Sequence, residues 1–406
     1  MSGLEGQKPV TTTGEGTEGD NEELRALLRD FHGNGFFPWQ FSTEEQKQRW
    51  SQWHYDEEKY WGGFSRDPID PETYRLPDWA IGPFEKDAGN PVLSPDPEGW
   101  DRGHFGGGVH NGSVLKRDGR LYYVYRGEFP ISDEPRFASR RETGIDYLCD
   151  IGVAVSEDGV QFRRVAGPLL RRPEYWMYSF EDVNCVQHEG RYYMFLNRWD
   201  WERIDDPSVC GVYLAVSDDL IHWEHQGLVF PNATRIHRNG TVLQDPDNRA
   251  VRAADGRFVM YINDRLIAYS EDLLHWESKE LASVWPGGEC AVAFANYHPT
   301  NPDYLMLMTG GNHTGHFYAK GEVLFSLQDP ETPLAWLPRP VLSADVTIPH
   351  EDGYSAEPPH RPVSYWRDTV FLCGMTVFKN KWYAYYGGSE YYTCLATAPF
   401  GAGVQR

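Results

Sequence analysis

Carboxylic acids stand where short apolar strands begin or end in this sequence. Glu181-Asp182 opens an apolar and aromatic stretch, and Glu390 follows the Gly387-Gly388 bend behind a tyrosine-rich stretch. Glycine at such a bend has no side chain, so a ligand can approach the backbone. Two acids on either side of a sugar can cleave a glycosidic bond, because one protonates the leaving oxygen while the other activates water or attacks the sugar.

Polar residues elsewhere in the chain complete a candidate site. A loop rich in histidine, proline and acid, residues 349–362, adds Glu351 to the acids. Carboxyl groups crowded together raise one another's pKa, which keeps one of them protonated near neutral pH. We predict catalytic roles for Asp182, Glu390, Glu181 and Glu351, and substrate binding by Asn111, Arg126, Asn197, Arg198, Asp245, Glu289, His313, Tyr178 and Trp176.

Several of these residues have a structural alternative. Glu181-Asp182 could form a turn or an ion pair, Asp245 flanks a proline and could shape a turn, and Glu351 could be solvated in its loop. His222 and His275 belong to a repeated phrase, so we expect them to be structural.

A turn followed by an aromatic strand recurs along the chain. It reads Asp118-Gly119-Arg120-Leu121-Tyr122-Tyr123-Val124-Tyr125 at its first occurrence, returns over 189–195, 255–261 and 380–386, and has a weaker copy over 302–308. A second phrase, Ser-acid-Asp closing on an aromatic residue, follows the first three copies at 155–162, 216–223 and 269–276. Both phrases are typical of tight turns between β-strands.

The repeats predict an all-β fold, a five-bladed β-propeller. Their period is about fifty to sixty residues, which fits one four-stranded antiparallel blade per repeat. We place the blades near 105–175, 176–234, 238–285, 286–345 and 350–400. The innermost strand of each blade would face one central pit, and this would bring acids from distant repeats together.

The region before the repeats differs in character. We predict a disordered tail over 1–20, an N-terminal helical extension and lead-in over 21–99, and the catalytic propeller over 100–406. Short helices are expected over 21–31 and 42–60. These helices could cover one face of the propeller or form the contact of a homo-oligomer.

Composition excludes several classes of partner. The formal net charge of -22 repels nucleic acid and anionic membranes, and no apolar run is long enough to span a bilayer. No signal peptide is visible, so we expect a cytoplasmic location and read the six cysteines as buried free thiols. No metal-ligand spacing occurs and no cofactor is expected, so the predicted partner is an oligosaccharide substrate.

At these motifs the sequence resembles glycoside hydrolase family 130, the β-mannoside phosphorylases and β-1,2-mannosidases, over roughly 90–400. Asn90-Pro91-Val92-Leu93 resembles the family's entry into the first blade, and Asn111-Gly112-Ser113-Val114 its Asn-Pro-Ala-Val. Glu181-Asp182-Val183-Asn184 resembles Glu-Asp-Pro-Arg, and residues 385–390 resemble the closing Tyr-Tyr-Gly-Ala-Ala-Asp. The resemblance implies a five-bladed propeller, with Asp182 at the position of the phosphorylases' general acid.

The departures from the family pattern concern phosphate. Asn184 stands where the phosphorylases have a phosphate-binding arginine, and Asp150 stands where a second arginine is expected. Replacing two cations by an amide and an acid weakens a phosphate site, because phosphate binding depends on charge-assisted hydrogen bonds. The resemblance then implies hydrolysis by two glutamates, for which Glu390, Glu351 and Glu289 are the candidates by position.

We therefore predict an inverting, exo-acting glycosidase for β-linked, mannoside-like oligosaccharides, with Asp182 (or Glu181) and Glu390 as the acid pair. The first alternative is a phosphorylase of the same family, in which Arg126 and Arg198 restore phosphate binding. A furanosidase of another five-bladed family is a second, although the slot where such enzymes usually carry an aspartate holds Asn111. A sugar-binding propeller without catalysis is the third.

Overall fold

The computed structural model describes residues 68–130, 147–171, 175, 177–263, 265–283, 285, 289–312, 318–364, 366 and 369–401. No α-helix occurs among these residues, so the all-β part of the prediction is confirmed for them. The tail and the helices predicted over 21–31 and 42–60 lie outside the described residues. The predicted division of the chain at residue 100 stays a prediction. Residues 85–86, on the N-terminal side of that division, are hydrogen-bonded into the last sheet.

Twenty-one strands make up the described structure. They are β1 (Glu85–Lys86), β2 (Val109–Arg117), β3 (Arg120–Pro130), β4 (Tyr147–Ser156), β5 (Arg163–Ala166), β6 (Tyr178–His188), β7 (Arg191–Asp200), β8 (Gly211–Ser217), β9 (Glu224–Leu228), β10 (Thr241–Gln244), β11 (Phe258–Ile262), β12 (Leu266–Ser270), β13 (Glu277–Glu280), β14 (Glu289–Ala295), β15 (Tyr304–Asn312), β16 (Tyr318–Ser326), β17 (Ala335–Trp336), β18 (Leu342–Ser343), β19 (Val370–Phe378), β20 (Lys381–Gly388) and β21 (Tyr392–Pro399).

The strands form five antiparallel units in chain order. The first unit is β2 to β5, the second β6 to β9, the third β10 to β13, and the fourth β14 to β17 with β18 beside β16. The third and fourth units are joined into one nine-stranded sheet, since β10 and β14 pair in parallel. The fifth unit contains β19, β20 and β21, and β1 from the N-terminal side supplies its outer strand.

The repeated turn phrase opens the second strand of every unit, as the sequence predicts. Asp118-Gly119 and Glu189-Gly190 each form a two-residue hairpin in which both residues have positive φ angles. This turn geometry matches the twist of the flanking strands, and glycine adopts it without steric cost. Lys379 and Asn380 form the same turn in the last unit without glycine, at φ angles of 46° and 60°.

The second phrase forms a turn held by its own side chains. In its second copy, the Ser217 hydroxyl accepts the backbone N–H groups of Asp219 and Leu220. The Asp219 carboxylate accepts those of residues 221 and 222 and also contacts the His222 ring. The third copy repeats these bonds around Asp272 and His275. The structural role predicted for both histidines is confirmed.

Each unit packs face to face on the next one, and the last packs on the first. Apolar cores fill the space between consecutive units along the chain. A further core contains Tyr123 and Tyr125 of β3 together with Tyr383 and Tyr385 of β20. The first strands of the units are likewise neighbours: β2 contacts β6, and the series continues through β10, β14 and β19 back to β2. No hydrogen-bonded sheet in the described part of the chain closes on itself.

The loop 245–249 joins the first strands at their C-terminal ends. The Pro246 carbonyl accepts hydrogen bonds from Lys116 Nζ at 3.2 Å and from the Val377 N–H at 3.0 Å. The Gln187 side chain donates to the Asp247 carbonyl at 2.8 Å. The loop therefore ties together the ends of β2, β6 and β19 and covers that end of the space between the units.

All six cysteines are buried and free, which confirms the prediction of buried thiols. No helix in the described ranges is long and apolar enough to cross a bilayer.

Two matched tyrosines test whether the last and first units are packed as firmly as consecutive ones. Tyr385 lies in the core between the last and first units, and Tyr261 lies in the core between the third and fourth. Both side chains are fully buried, and both hydroxyls donate to a backbone carbonyl at 2.7 Å. Tyr385→Ala and Tyr261→Ala should therefore each cost roughly 3–5 kcal/mol of unfolding free energy in urea titrations. A loss for Tyr385→Ala far smaller than for Tyr261→Ala would contradict this packing.

Candidate functional site

A cluster of acids and bases lies where the first strands of the units begin. His110 and Asn111 are at the start of β2, Glu181 and Asp182 at the start of β6, and Glu289 is the first residue of β14. The second strands of the hairpins end at the same level and contribute further polar side chains. These are Arg126, Glu128, Asn197 and, directly after β20, Glu390.

β-Bulges direct two of these side chains into the cluster. The pairing of β2 with β3 shifts register after His110, and that of β6 with β7 shifts after Glu181. Asn111 and Asp182 occupy the bulges, with φ angles of 47° and 50°. A bulge interrupts the alternation of faces along a strand and re-aims the residue that it contains. As a result, Asn111 Nδ2 donates to Asp182 Oδ1 at 3.0 Å across two neighbouring units.

Asp182 accepts hydrogen bonds from three side chains. Besides Asn111, the donors are Arg126 Nη1 at 3.2 Å and Asn197 Nδ2, which reaches Asp182 Oδ2 at 3.1 Å. All three groups donate, so both oxygens of the Asp182 side chain are held in place by hydrogen bonds from neighbouring strands.

Glu128 is a buried carboxylate surrounded by cationic or protonated groups. Arg126 Nη2 lies 2.5 Å from Glu128 Oε1, and Nε2 atoms of His104 and His110 lie at 2.6 Å and 3.0 Å from its two oxygens. Burial would raise the pKa of Glu128, but Arg126 and the two histidines hold it well below its usual range. Because the ionised carboxylate only accepts, both histidines must carry a proton on Nε2.

His110 connects Glu128 to Glu390. Its Nδ1 atom has no hydrogen-bond partner among the described residues and lies 3.7 Å from Glu390 Oε2. Burial lowers the pKa of His110, yet Glu390 and Glu128 together raise it above its usual value, and burial raises the pKa of Glu390 in turn. The protonated form is therefore favoured in both groups, by the neighbouring negative charges for His110 and by burial for Glu390.

Glu181, next to Asp182 in sequence, points to the opposite side of the bulge. Cys149 Sγ and Ser179 Oγ donate to Glu181 Oε1 at 3.3 Å and 3.4 Å, and Arg126 Nη1 lies 3.6 Å from Oε2. Burial raises the pKa of Glu181 to about 7, against the opposing charge of Arg126. Glu181 is thus a second buried acid that can hold its proton near neutral pH.

Glu289 and Lys320 lie on the far side of the cluster. Burial raises the pKa of Glu289 to about 7, opposed by Lys320 and Arg238 and supported by the charges of Asp182 and Glu390. Lys320, on β16, is fully buried, and its pKa is lowered by burial. Sequence reasoning missed Lys320; a lysine inside the otherwise uncharged stretch from Phe317 to Gly321 was the available signal.

The predicted site residues fall into three sets. Those brought together at the cluster are Asp182, Glu390, Glu181, Asn111, Arg126, Asn197 and Glu289. His313 and Trp176 lie outside the described residues. The others, Glu351, Asp245, Arg198 and Tyr178, are placed elsewhere.

Glu351 is committed to a structural contact. It is fully buried, pairs with Lys86 Nζ at 2.5 Å and accepts from the Tyr386 hydroxyl at 2.6 Å. The glycines of β20 separate it from the cluster: a side chain at Gly387 would meet Asn111, whereas one at Gly388 would meet Glu351 on the opposite face. The predicted catalytic role of Glu351 is therefore replaced by a structural one.

Asp245 lies at the other end of the first strands. Its carboxylate accepts the backbone N–H groups of Asp247 and Arg249, so it shapes the loop 245–249, as the structural alternative expects. This position gives it no contact with the cluster, and the predicted substrate-binding role is replaced by a turn-forming one.

Arg198 and Tyr178 lie together on the other face of β7. The Arg198 guanidinium stacks 4.6 Å from the Tyr178 ring centroid and donates through Nε to the Val209 carbonyl at 2.8 Å. Successive strand residues face opposite sides, so Asn197 points to Asp182 while Arg198 points away. Among the described residues neither side chain is hydrogen-bonded to the cluster, and their predicted role in substrate binding stays a prediction.

The two positions expected to carry phosphate-binding arginines in the phosphorylases have structural contacts here. The Asn184 amide oxygen accepts the Val242 N–H at 3.1 Å. The Asp150 carboxylate accepts the N–H groups of Ile151 and Leu170, and burial raises its pKa to about 6. In the described part of the chain, no group of three or more histidine, cysteine or acidic side chains could hold a metal ion.

Comparison with known proteins supports the resemblance seen in the sequence. No family profile matches the chain. The chain is 26% identical over 313 residues to the 1,2-β-oligomannan phosphorylase of Thermoanaerobacter sp. (strain X514), covering 74% of this chain and 92% of that one. It is 24% identical over 324 residues to the β-1,2-mannobiose phosphorylase of the same organism, again covering 74% and 92%.

The chain resembles these β-1,2-mannoside phosphorylases in sequence and a glycoside hydrolase family 130 structure in fold. A solved structure described as a family 130 glycoside hydrolase that targets β-1,2-mannosidic linkages in Candida mannan superposes with a TM-score of 0.62 at 23% identity. The superposition covers 81% of this chain and 99% of that one. The structural match shows a shared fold.

Glu128→Gln tests the buried charge cluster through stability. At neutral pH the variant should lose roughly 3–5 kcal/mol of unfolding free energy, because Arg126 loses its buried partner charge. The pKa of Glu128 is lowered in the folded state, so its stabilisation is present above the usual glutamate pKa of about 4.3 and is lost as the pH falls below it. Urea titrations should therefore give a smaller difference from the unmodified protein at about pH 4 than at neutral pH.

The exposed Glu224→Gln, on β9, is the control and should leave stability unchanged at both pH values. A difference for Glu128→Gln that stays constant with pH would contradict an ionised, paired Glu128.

Proposed function

We propose that the chain is an inverting, exo-acting glycosidase for β-linked, mannoside-like oligosaccharides, and that it folds as a five-bladed β-propeller. Under this proposal the five antiparallel units are the blades, and their first strands line a central channel. The cycle of contacts from β2 through β19 back to β2 supports this arrangement, as does the core between the last and first units. β1 completes the last blade from the N-terminal side.

Exo action follows from the proposed channel. The acidic cluster lies at the N-terminal ends of the first strands, and the loop 245–249 covers their C-terminal ends. A pit that opens at one end admits the end of a sugar chain, whereas a groove open on both sides would admit its middle. The free, buried cysteines support the cytoplasmic location that we include in the proposal.

The observation that carries the proposal is the placement of two acids, Asp182 and Glu390, on either side of His110-Asn111. Asn111 contacts Asp182, and His110 contacts Glu390, so the two acids meet on either side of one short stretch of β2. We assign Glu390, whose pKa is raised by burial, as the acid that protonates the leaving glycosidic oxygen. Asp182 is then the base: it takes a proton from water while the water oxygen bonds to the anomeric carbon and the glycosidic bond breaks.

Water is favoured over phosphate as the acceptor by the charges of the site. Five carboxyl groups, those of Glu128, Glu181, Asp182, Glu289 and Glu390, interact electrostatically in this cluster. The two positions where the phosphorylases carry arginine are the amide Asn184 and the acid Asp150, both engaged by the backbone. A phosphate dianion would have to enter an acidic site without these cations.

A phosphorylase is the second candidate, because the relatives named above are phosphorylases and because Arg126 and Lys320 are cations of the cluster. Incubation with β-1,2-mannobiose, with and without inorganic phosphate, separates the two. We expect the same rate in both, mannose as the sole product, and the α-anomer first in proton NMR. Phosphate-dependent cleavage, with a sugar phosphate seen by phosphorus NMR, would establish the second candidate instead.

Glu390→Gln and Asp182→Asn test the acid and base roles. Each should lower kcat by about 10²–10⁴-fold, the usual contribution of a general acid or base. Aryl mannosides with acidic leaving groups need no protonation, so they should restore the turnover of Glu390→Gln but not that of Asp182→Asn. Loss of Glu390 should also remove the fall in activity at high pH, since its raised pKa sets that limb.

Glu351→Gln, outside the cluster, is the comparison variant. It should lower thermal stability while its kcat remains within a few-fold of the unmodified enzyme. Aryl mannosides that restore Asp182→Asn instead of Glu390→Gln would reverse the two assignments.

A further inference from the structure

A row of three residues crosses the fourth unit at the level of the cluster. Glu289 of β14 pairs with Gly310 of β15, and Gly310 pairs with Lys320 of β16. Residues directly opposite one another on neighbouring strands project from the same face of a sheet. Glu289 and Lys320 therefore extend on one face with a glycine between them.

Gly310 leaves the space that the lysine occupies. A β-carbon at Gly310 would collide with the end of the Lys320 side chain, so the lysine lies over the glycine toward Glu289. On its other side, Lys320 Nζ lies 4.0 Å from the centre of the Phe371 ring, which belongs to the next unit. The ammonium group is thus held in a fixed position by packing.

The polar ends of both side chains are unsatisfied. Lys320 Nζ and Glu289 Oε2 are buried and have no hydrogen-bond partner in the described part of the chain, and the lysine is fully inaccessible to solvent. A buried polar group without a partner costs free energy, so such groups commonly mark the place of a ligand or water. Both groups also interact electrostatically with Asp182 and Glu390, so they belong to the same cluster as the reacting groups.

We propose that Glu289 and Lys320 form a subsite that binds two adjacent hydroxyl groups of the sugar unit cleaved at Asp182 and Glu390. This inference rests on the function proposed above and adds a determinant of sugar specificity. A hydroxyl group donates to the carboxylate oxygen and accepts from the ammonium, so neighbouring hydroxyls satisfy both side chains at once. Lys320 can donate three hydrogen bonds, and the packing against Phe371 limits where it can donate them.

The geometry favours a diol over an anion as the ligand. A phosphate or carboxylate that reached Lys320 would also meet Glu289 on the same face and the nearby Asp182 and Glu390. A neutral diol meets no such repulsion. Burial lowers the pKa of Lys320, and the charges of Glu289, Glu390 and Asp182 oppose this shift and favour the ammonium form.

The test measures the binding of free mannose and its single-deoxy derivatives by isothermal titration calorimetry. Mannose contains no glycosidic bond, so binding is measured without turnover. We expect two of the single-deoxy derivatives to bind the unmodified protein about tenfold more weakly than mannose, or worse. The hydroxyls that these two derivatives lack should be on neighbouring carbons. Lys320→Met and Glu289→Gln should each weaken mannose binding by a similar factor. Each variant should still bind one of those two deoxy sugars with nearly the affinity that the unmodified protein has for it.

Gly310→Ala is the positional variant, because it displaces the ammonium group without removing its charge. It should weaken mannose binding as Lys320→Met does. Lys381→Met and Glu224→Gln, at exposed strand positions, are the matched controls and should bind mannose normally. Thermal unfolding of each variant identifies any that fail to fold, and Glu289→Gln, which preserves size, then carries the test.

The possible outcomes separate the subsite from the proposed function. Unchanged mannose affinity in the folded Lys320→Met and Glu289→Gln variants would overturn the subsite, whether or not the enzyme cleaves mannosides. The expected pattern of deoxy sugars in a protein that turns over no glycoside would support the subsite and overturn the proposed function. Absence of any mannose binding, together with absence of cleavage, would overturn both.

Discussion

Arg126 lies between three carboxyl groups, two of them buried and that of Asp182 partly exposed, and the arrangement of the site depends on this one guanidinium group. Its nitrogens contact Glu128 at 2.5 Å, Asp182 at 3.2 Å and Glu181 at 3.6 Å. Acids so close together would repel one another strongly in a medium of low dielectric constant. The planar guanidinium can serve all three because its donors point in several directions. Lysine, with its single compact charge, could not replace it.

The acids of the cluster differ in protonation because their contacts with this cation differ. Glu128 has the closest contact with Arg126 and two histidine donors as well, so its pKa falls despite burial. Glu181 has a more distant contact, and burial dominates its pKa. No arginine of the described residues pairs with Glu390, which lies 3.7 Å from His110 Nδ1, and burial raises its pKa. Because Arg126 is closer to Glu128 than to the other two glutamates, the pKa of Glu128 is lowered while those of Glu181 and Glu390 are raised. Acid–base cleavage requires acids whose pKa values differ in this way.

The part of the site that can be predicted from the sequence is the part that the repeated turn and strand phrase places. The repeated turns mark the second strand of each unit, and acids at the start of the preceding first strand, such as Asp182, Glu181 and Glu289, are indeed brought together. Errors arise where the face of a strand decides the outcome: Asn197 contacts Asp182, while its neighbour Arg198 stacks on Tyr178. Glu351 stands in a loop without a repeat, so the sequence contains no sign of its burial beside Lys86. His104, His110 and Lys320 need long-range packing to acquire their roles, and local patterns do not contain that information.

Backbone conformation at the cluster shows how the fold and the chemistry are linked. Asn111, Asp182 and Glu390 all adopt positive φ angles, at 47°, 50° and 56°. Residues other than glycine rarely adopt this conformation; asparagine and aspartate tolerate it best, and glutamate less well. Each such residue costs of the order of 1–3 kcal/mol, which the surrounding sheets must supply. In return, the bulges turn side chains of two neighbouring units toward each other, and the hydrogen bond between Asn111 and Asp182 forms across that boundary. Regular strands would keep alternating faces, and these side chains would then pack between the units instead of meeting at their ends.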